Sequence, residues 1–269
     1  MRAVLIAFVL LLATPVLRAQ NVPDTLRAPA PAVAVDPFAG RLVFAATARA
    51  QPAGTGHVSL RSVGVVIIPV LGAAQGSVGV GRGFTLGGAA MLNIGGEQSL
   101  LGSGKATVWR RDGLHLAAGA HVLHRRPERP DGRGYTNAFG YAAATFDGPT
   151  GSVTVNVAQA LRRPGRRPRG YPAPPLRLAA GAELNVGART KLLAEVTTSN
   201  AVSDADGFGD DGRHALVIVA LRTYGARAGF EIGVATVPAE LDACRDSEVY
   251  FCVPPVFPHL SFTRTFRRR

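Results

Sequence analysis

Along most of the chain, apolar residues fall on every second position. In 176–185, Leu176, Leu178, Ala180, Ala182 and Leu184 alternate with Arg177, Ala179, Gly181, Glu183 and Asn185. After a tight turn at Val186-Gly187, Ala188, Leu192, Ala194 and Val196 oppose Arg189, Lys191, Glu195 and Thr197. In 226–237, Ala228, Phe230, Ile232 and Val234 alternate with Arg227, Gly229, Glu231 and Gly233, and 114–124 and 151–161 repeat the format. A helix of 3.6 residues per turn scatters such a set around its axis, whereas a strand puts it on one face. The spacing predicts twelve strands: 58–69, 75–80, 83–94, 104–111, 114–124, 136–146, 151–161, 176–185, 188–199, 213–222, 226–237 and 257–266.

The joints alternate in length. Short ones fall at Gly81-Arg82, Asp112-Gly113, Asp147-Gly148-Pro149, Val186-Gly187 and Tyr224-Gly225, and long ones at 95–103, 125–135, 162–175, 200–212 and 238–256, with a medium joint at 70–74. Tight turns at one end and long loops at the other are the habit of outer-membrane barrels. Twelve strands then place both termini on the periplasmic side. The predicted fold is all-β, a transmembrane antiparallel up-and-down β-barrel. A soluble β-sandwich also alternates in strands, and is the competing architecture. The barrel is preferred because one face carries Arg, Lys, Glu, Asn and His among many Gly and Ala, suiting a polar lumen. The other carries Leu, Val, Ile, Ala and Phe, suiting lipid.

The last segment, His259-Leu260-Ser261-Phe262-Thr263-Arg264-Thr265-Phe266 followed by Arg267-Arg268-Arg269, resembles the closing strand of outer-membrane barrel proteins. That resemblance implies Phe266 as the aromatic assembly signal and the barrel assembly machinery as a partner; the Arg tail departs from the pattern by moving the aromatic off the terminus. Residues 41–94 are similar to uncharacterised bacterial outer-membrane β-barrel proteins. Their Gly-rich turns and Gly-aromatic hairpins match Phe44, Gly54, Gly56, Gly81, Gly83, Phe84, Leu86 and Gly87, which the resemblance makes structural positions.

The N-terminus adds a location. One cation, the apolar stretch Val4–Ala13, Pro15 and a small residue at Ala19 have the parts of a secretory signal peptide, and the stretch is shorter than a spanning helix needs. The expected organisation is a signal peptide over 1–19, a periplasmic lead-in or partial plug over 20–57, the barrel over 58–266 and a basic tail over 267–269. Cleavage removes Arg2 and Arg18 and no acid, taking the formal charge from +12 to +10. Arg162, Arg163, Arg166, Arg167 and Arg169 crowd one long loop, where lipopolysaccharide phosphates are the natural counter-charge. Asp204, Asp206, Asp210 and Asp211 make another loop acidic, in an order unlike an EF-hand. No aromatic platform accompanies the arginines, so nucleic acid is not expected.

Little in the sequence carries reaction chemistry. Gly79, Gly81 and Gly83 are followed by a strand pattern, not the helix a dinucleotide site requires, so no cofactor is expected. Of the six His, His121 and His124 fall together at the outer end of one strand and lack the acid or Cys set that would complete a metal site. A Ser/His hydrolase pair of His121 with Ser199 or Ser203 has no spacing to support it, and no enzyme activity is expected. In an exported chain, Cys244 and Cys252 are expected to form a disulfide. The functional expectation is a structural or surface-interaction role among outer-membrane lipids. The alternatives are a narrow passive pore for small solutes, lined by Arg177, Glu183, Lys191, Glu195, Arg227 and Glu231, or a secreted sandwich-type binding module.

Overall fold

The computed structural model describes residues 36, 38, 40–43, 45–65, 68–81, 83–93, 98–126, 134–161, 176–198, 215–236 and 256–267. The strands are β1 (Thr55–Val65), β2 (Ile68–Gly79), β3 (Phe84–Asn93), β4 (Gln98–Arg111), β5 (Leu114–Arg126) and β6 (Tyr135–Asp147). They continue with β7 (Gly151–Ala160), β8 (Leu176–Gly187), β9 (Thr190–Thr197), β10 (Leu216–Tyr224), β11 (Ala228–Thr236) and β12 (Val256–Arg267). Each strand pairs antiparallel with the next, and β1 with β12 closes the ring, Thr55 opposite Arg267 and Val63 opposite His259. Closure leaves no sheet edge, the condition a strand structure must meet in hydrocarbon. Two stacked sheets, as a sandwich needs, are therefore excluded.

The alternation sets which face looks where. Leu60 is 60% exposed, and Val58, Leu86, Leu100, Leu221, Ile232, Val234 and Phe262 stand out with it, while Ser59, Thr145, Thr154, Glu195, Arg222, Glu231 and Thr263 on the opposite faces are buried. So much contiguous apolar surface is far beyond what a soluble monomer carries, and it is the surface that lipid covers. Trp109, Phe84, Phe230 and Phe266 point outward near the hairpin-turn end, as an interfacial aromatic girdle does. A bulge between Thr107 and Trp109 sends adjacent Val108 and Trp109 outward together.

Several boundaries differ from the sequence expectation: β1 starts at Thr55 inside the expected lead-in, and the turn expected at Val186-Gly187 falls at Ala188-Arg189, with Val186 and Gly187 in β8. β1 ends at Val65 and β2 starts at Ile68, within the apolar run Val63–Leu71, so β2 contains Pro69. Pro69 has no N–H to give, but it pairs with Gly64 at a register shift, where the ladder is already interrupted. β4 begins at Gln98, so much of the expected loop 95–103 is strand; Ser99 and Ser103 look like loop residues and instead face a polar interior. β12 runs through Arg267, the first residue of the expected tail. The Asp112-Gly113 turn is as its residues dictate: φ is 47° and 80°, the type I′ pair that matches strand twist.

Candidate functional site

The described residues of 36–54 run through the lumen, and inward groups from many strands hold them. Thr107 Oγ1 donates to Ala48 O at 2.7 Å, and Ala48 N donates to Thr145 Oγ1 at 2.8 Å. Ala45 N donates to Glu195 Oε1 at 3.0 Å, and Asn156 Nδ2 to Ala46 O at 3.3 Å. Lys105 Nζ donates to the carbonyls of Gly40, Thr47 and Arg49 at 3.1, 2.9 and 2.7 Å. An irregular segment buried in a lumen must satisfy its peptide groups somewhere, and here the wall side chains do so.

The charges form a second layer of restraint. Arg222 is fully buried on β10; its Nε and Nη2 donate to Glu231 Oε2 at 2.8 and 2.6 Å. Its Nη1 reaches Glu183 Oε1 at 3.0 Å, and Nη2 also reaches Leu42 O at 3.1 Å. Glu183 takes further bonds from Arg49 at 2.8 Å and Lys191 at 3.2 Å. Arg41 pairs with Glu231 at 3.3 Å, Lys191 with Asp36, and Arg49 with Asp147, which His115 also reaches at 3.0 Å. Burial opposes the Arg49 charge, but Glu183 and Asp147 outweigh it and raise the guanidinium above its ordinary range. Arg41, Arg49, Lys191 and Arg222 thus face Asp36, Asp147, Glu183 and Glu231, four cations to four carboxylates.

On the β8–β12 side the segment also packs by shape. A Cβ at Gly181 would come within 2.6 Å of Leu42 Cδ1, and one at Gly229 would collide with the Phe38 ring. Phe38 in turn lies under Arg222, 4.5 Å from ring centroid to guanidinium carbon. Val43 joins Leu193, Leu216, Ile218, Ala220 and Ala235 in an apolar cluster, with Met91 and Phe257 against it.

The β1–β3 side is emptier. A cavity of about 310 Å³ toward the loop end is lined there by Ala73, Gln75, Ser77, Gly87 and Ala89, and by Arg61, Lys105, His121, Tyr141 and Arg177 elsewhere. A cavity of about 1030 Å³ at the turn end is lined by Asp36, Arg49, Thr107, Arg110, His115 and Asp147 among others. Gly40, Gln51 and His57 line both. There Ser77 Oγ donates to Gln51 Oε1 at 2.6 Å and lies 3.1 Å from His57 Nε2. Gln51 Nε2 donates to Thr55 O at 2.8 Å.

Of the lumen residues named from sequence, Glu183, Lys191, Glu195 and Glu231 are buried in these contacts. Arg177 faces the loop-end cavity with its guanidinium carbon 4.1 Å from the Phe139 ring centroid, and Arg227 is exposed in the turn before β11. Phe266 is half exposed on the outer face. Arg162, Arg163, Arg166, Arg167, Arg169, Cys244, Cys252, Phe44, Ser199 and Ser203 lie outside the described residues. His121 stacks on Tyr141 at 5.3 Å. Among the described residues Ser77 contacts His57; with the serine proton given to Gln51, His57 is not placed as its base. Among the described residues, no group of three or more His, Cys, Asp or Glu is placed to hold a metal ion. Sequence reading missed Arg41, Arg49, Gln51 and Arg222. Arg222 had the signal, since its parity with Ala220 and Ile218 puts it on the inner face.

No protein-family model and no curated protein matches the chain. Solved structures do. The KdgM porin superposes with a TM-score of 0.53 at 10% identity, over 79% of this chain and 99% of the porin. The same porin in complex with disordered oligogalacturonate gives the same values. The NanC porin covers 80% of this chain and 99% of its own at 8% identity, with a TM-score of 0.49. At these identities the KdgM likeness shows the fold: a porin-like, twelve-stranded outer-membrane-type barrel.

Proposed function

We propose that this protein is a narrow passive pore for small solutes in the outer membrane, with 36–54 acting as a partial plug. The observation that carries the reading is the pair of cavities that share Gly40, Gln51 and His57 beside the plug, so the lumen is narrowed along one wall and filled along the other. A purely structural or surface-interaction barrel has no need of hollow space on either side of a plug. The fold it shares with a porin supports the pore reading, and the oligogalacturonate bound to that porin is a property of that porin. The short-turn end faces the periplasm on this reading, after export on a cleaved signal peptide and insertion by the barrel assembly machinery through Phe266. Arg162, Arg163, Arg166, Arg167 and Arg169 would meet lipopolysaccharide phosphates, and a Cys244–Cys252 disulfide would pin the last outer loop. Reduction should then loosen that loop to protease while heat-modifiable gel mobility persists.

Planar-bilayer recording of the folded, full-length mature protein tests the function. Small, steady unit currents are expected, and deletion of 36–50 should enlarge them. Folded protein that never conducts, with or without 36–50, would return the barrel to a structural role.

A further inference from the structure

The outer face of the barrel carries one charge that its surroundings do not explain. Among the described residues, Arg264 of β12 is the one charged side chain on an outward strand position with outward apolar residues on both sides of it along its strand. Those residues are Phe262 and Phe266, both about half exposed, and across the sheet Arg264 stands opposite Val58 of β1 and Ala228 of β11. On the membrane placement proposed above, and whether or not the lumen conducts, we infer that Arg264, with Arg227 and Arg267, binds the phosphate of an anionic phospholipid in the periplasmic leaflet.

A guanidinium on a hydrocarbon-facing surface is costly unless its stem can carry the charge to the headgroups. Arg264 is placed to do so. Its guanidinium carbon lies 5.8 Å from the centroid of the Phe266 ring, two residues nearer the end of β12, so the side chain leans toward the turn end. Two further arginines stand at that corner. Arg227 lies in the turn between β10 and β11, where its carbonyl accepts from Thr265 N at 2.8 Å and ties the turn to β12; Arg267 ends β12. All three arginines are exposed and border the turn-end cavity. Among the described residues none of them has a carboxylate partner, and the carboxylates bordering the same cavity are engaged elsewhere, Asp36 with Lys191 and Asp147 with Arg49 and His115. In sequence, 20–35 hold one acid, Asp24, and one base, Arg27, while two more arginines follow Arg267, so neither terminus holds an excess of acid.

The chemistry that fits is a phosphodiester, whose oxygens accept from guanidinium forks. A lipid fits better than a soluble phosphate because the corner adjoins the hydrocarbon face. One pair-position further from the turn, Phe262 stands opposite both Phe230 and Leu60, so an exposed apolar row crosses β11, β12 and β1 directly beside Arg264. A phosphate held at Arg264 lays its acyl chains against that row. A headgroup without a cation is preferred, since an ammonium would meet three guanidiniums and, among the described residues, no uncommitted carboxylate.

Native mass spectrometry of the folded, full-length mature protein tests this, in mild detergent mixed with phosphatidylglycerol or phosphatidylethanolamine at equal mole fraction. Heat-modifiable migration checks folding of every variant. Phosphatidylglycerol should be retained over phosphatidylethanolamine by at least about fivefold; Arg264→Gln should lower its retention by about the same factor, and Arg227→Gln added to it should lower it several times further. Arg111→Gln, exposed at the β4–β5 turn, should leave retention unchanged. Equal retention of the two lipids, or retention of phosphatidylglycerol unaltered in the double variant, overturns the site. Displacement of the lipid by inorganic phosphate would mean a site for the free ion, and binding of a polyglutamate peptide without any lipid preference would mean an acidic protein partner; either overturns the lipid assignment.

Discussion

The inner wall of this barrel has two unlike halves. From β8 to β12 it presents Glu183, Lys191, Glu195, Arg222 and Glu231, with glycines and small apolar groups between them, and residues 36–54 are pressed against it. From β1 to β3 it presents Ala73, Gln75, Ser77, Gly87 and Ala89, which line open space. Both halves are alternating strands of similar length, so strand pattern does not distinguish them. The difference lies in how many inward groups find partners on the segment, Ser77 and Thr85 reaching only Gln51 from β2 and β3. Where they do, the lumen becomes a core with its own charge network; where they do not, it stays a cavity. The contrast can be broken at several points.

The largest effect is expected at Arg222. Its guanidinium binds Glu231, Glu183 and the Leu42 carbonyl, and Arg222→Ala takes one cation from each carboxylate, leaving Glu231 with Arg41 and Glu183 with Arg49 and Lys191. Removing one member of a buried ion network costs about 3–5 kcal/mol, because the partners keep their desolvation penalty. Urea unfolding followed by fluorescence of Trp109, the chain's single Trp, should show the midpoint fall sharply. A loss no larger than that of a surface arginine would mean that the network does not restrain the segment.

Gly229→Val probes the same wall by shape. The new side chain would occupy the place of the Phe38 ring, and overpacking of this kind costs about 1–3 kcal/mol. The strain is relieved if the segment leaves, so limited proteolysis should cut within 36–54 while the barrel keeps its heat-modifiable mobility. Thr145→Val stands at the border between the halves. It is nearly isosteric and removes the acceptor of the Ala48 N–H, leaving a buried donor unpaired at a cost of about 1–3 kcal/mol. Glu195→Gln should cost less than Thr145→Val, since an amide oxygen still accepts from Ala45 N.

How much of this was legible in the sequence depends on the kind of signal. Period-two alternation marks strands wherever one face is apolar, so Leu176–Asn185 and Ala228–Val234 could be read directly, and Asp112-Gly113 announced its turn. The alternation fails where inward and outward residues are both apolar or both small. Val63–Leu71 therefore read as one strand end rather than a hairpin, and Ser99–Ser103 read as a loop. Inward Leu193 and Ile218 break the polar-lumen rule for a different reason: they face Val43 of the segment, not water. The lumen carboxylates were visible by parity. Their partners Arg41 and Arg49 were not, because they lie in a stretch with no periodicity, and nothing local says that it enters the barrel. The Gln51–Ser77 contact is invisible for the same reason: His57 and Ser77 are partners in the β1–β2 hairpin, but Gln51 lies in the aperiodic stretch before it.

The smallest effect is expected on the open half, and it is the most discriminating. Gln75 is only half-buried and faces the loop-end cavity, one pair-position along β2 from the Ser77 that holds Gln51. If that wall is a lining and not a core, Gln75→Ala opens no new void and strands no buried partner, so its stability change should stay within about 0.5 kcal/mol, as for ordinary surface positions. The same urea titration that reports Arg222→Ala measures it. A loss matching that of Thr145→Val would mean that the β2 wall is packed as tightly as the β10 wall, and the route between the cavities would have to be abandoned. A neutral result joined to a changed unit conductance would instead place Gln75 on the path of the ion, since a side chain that supports no structure alters current only by standing in its way.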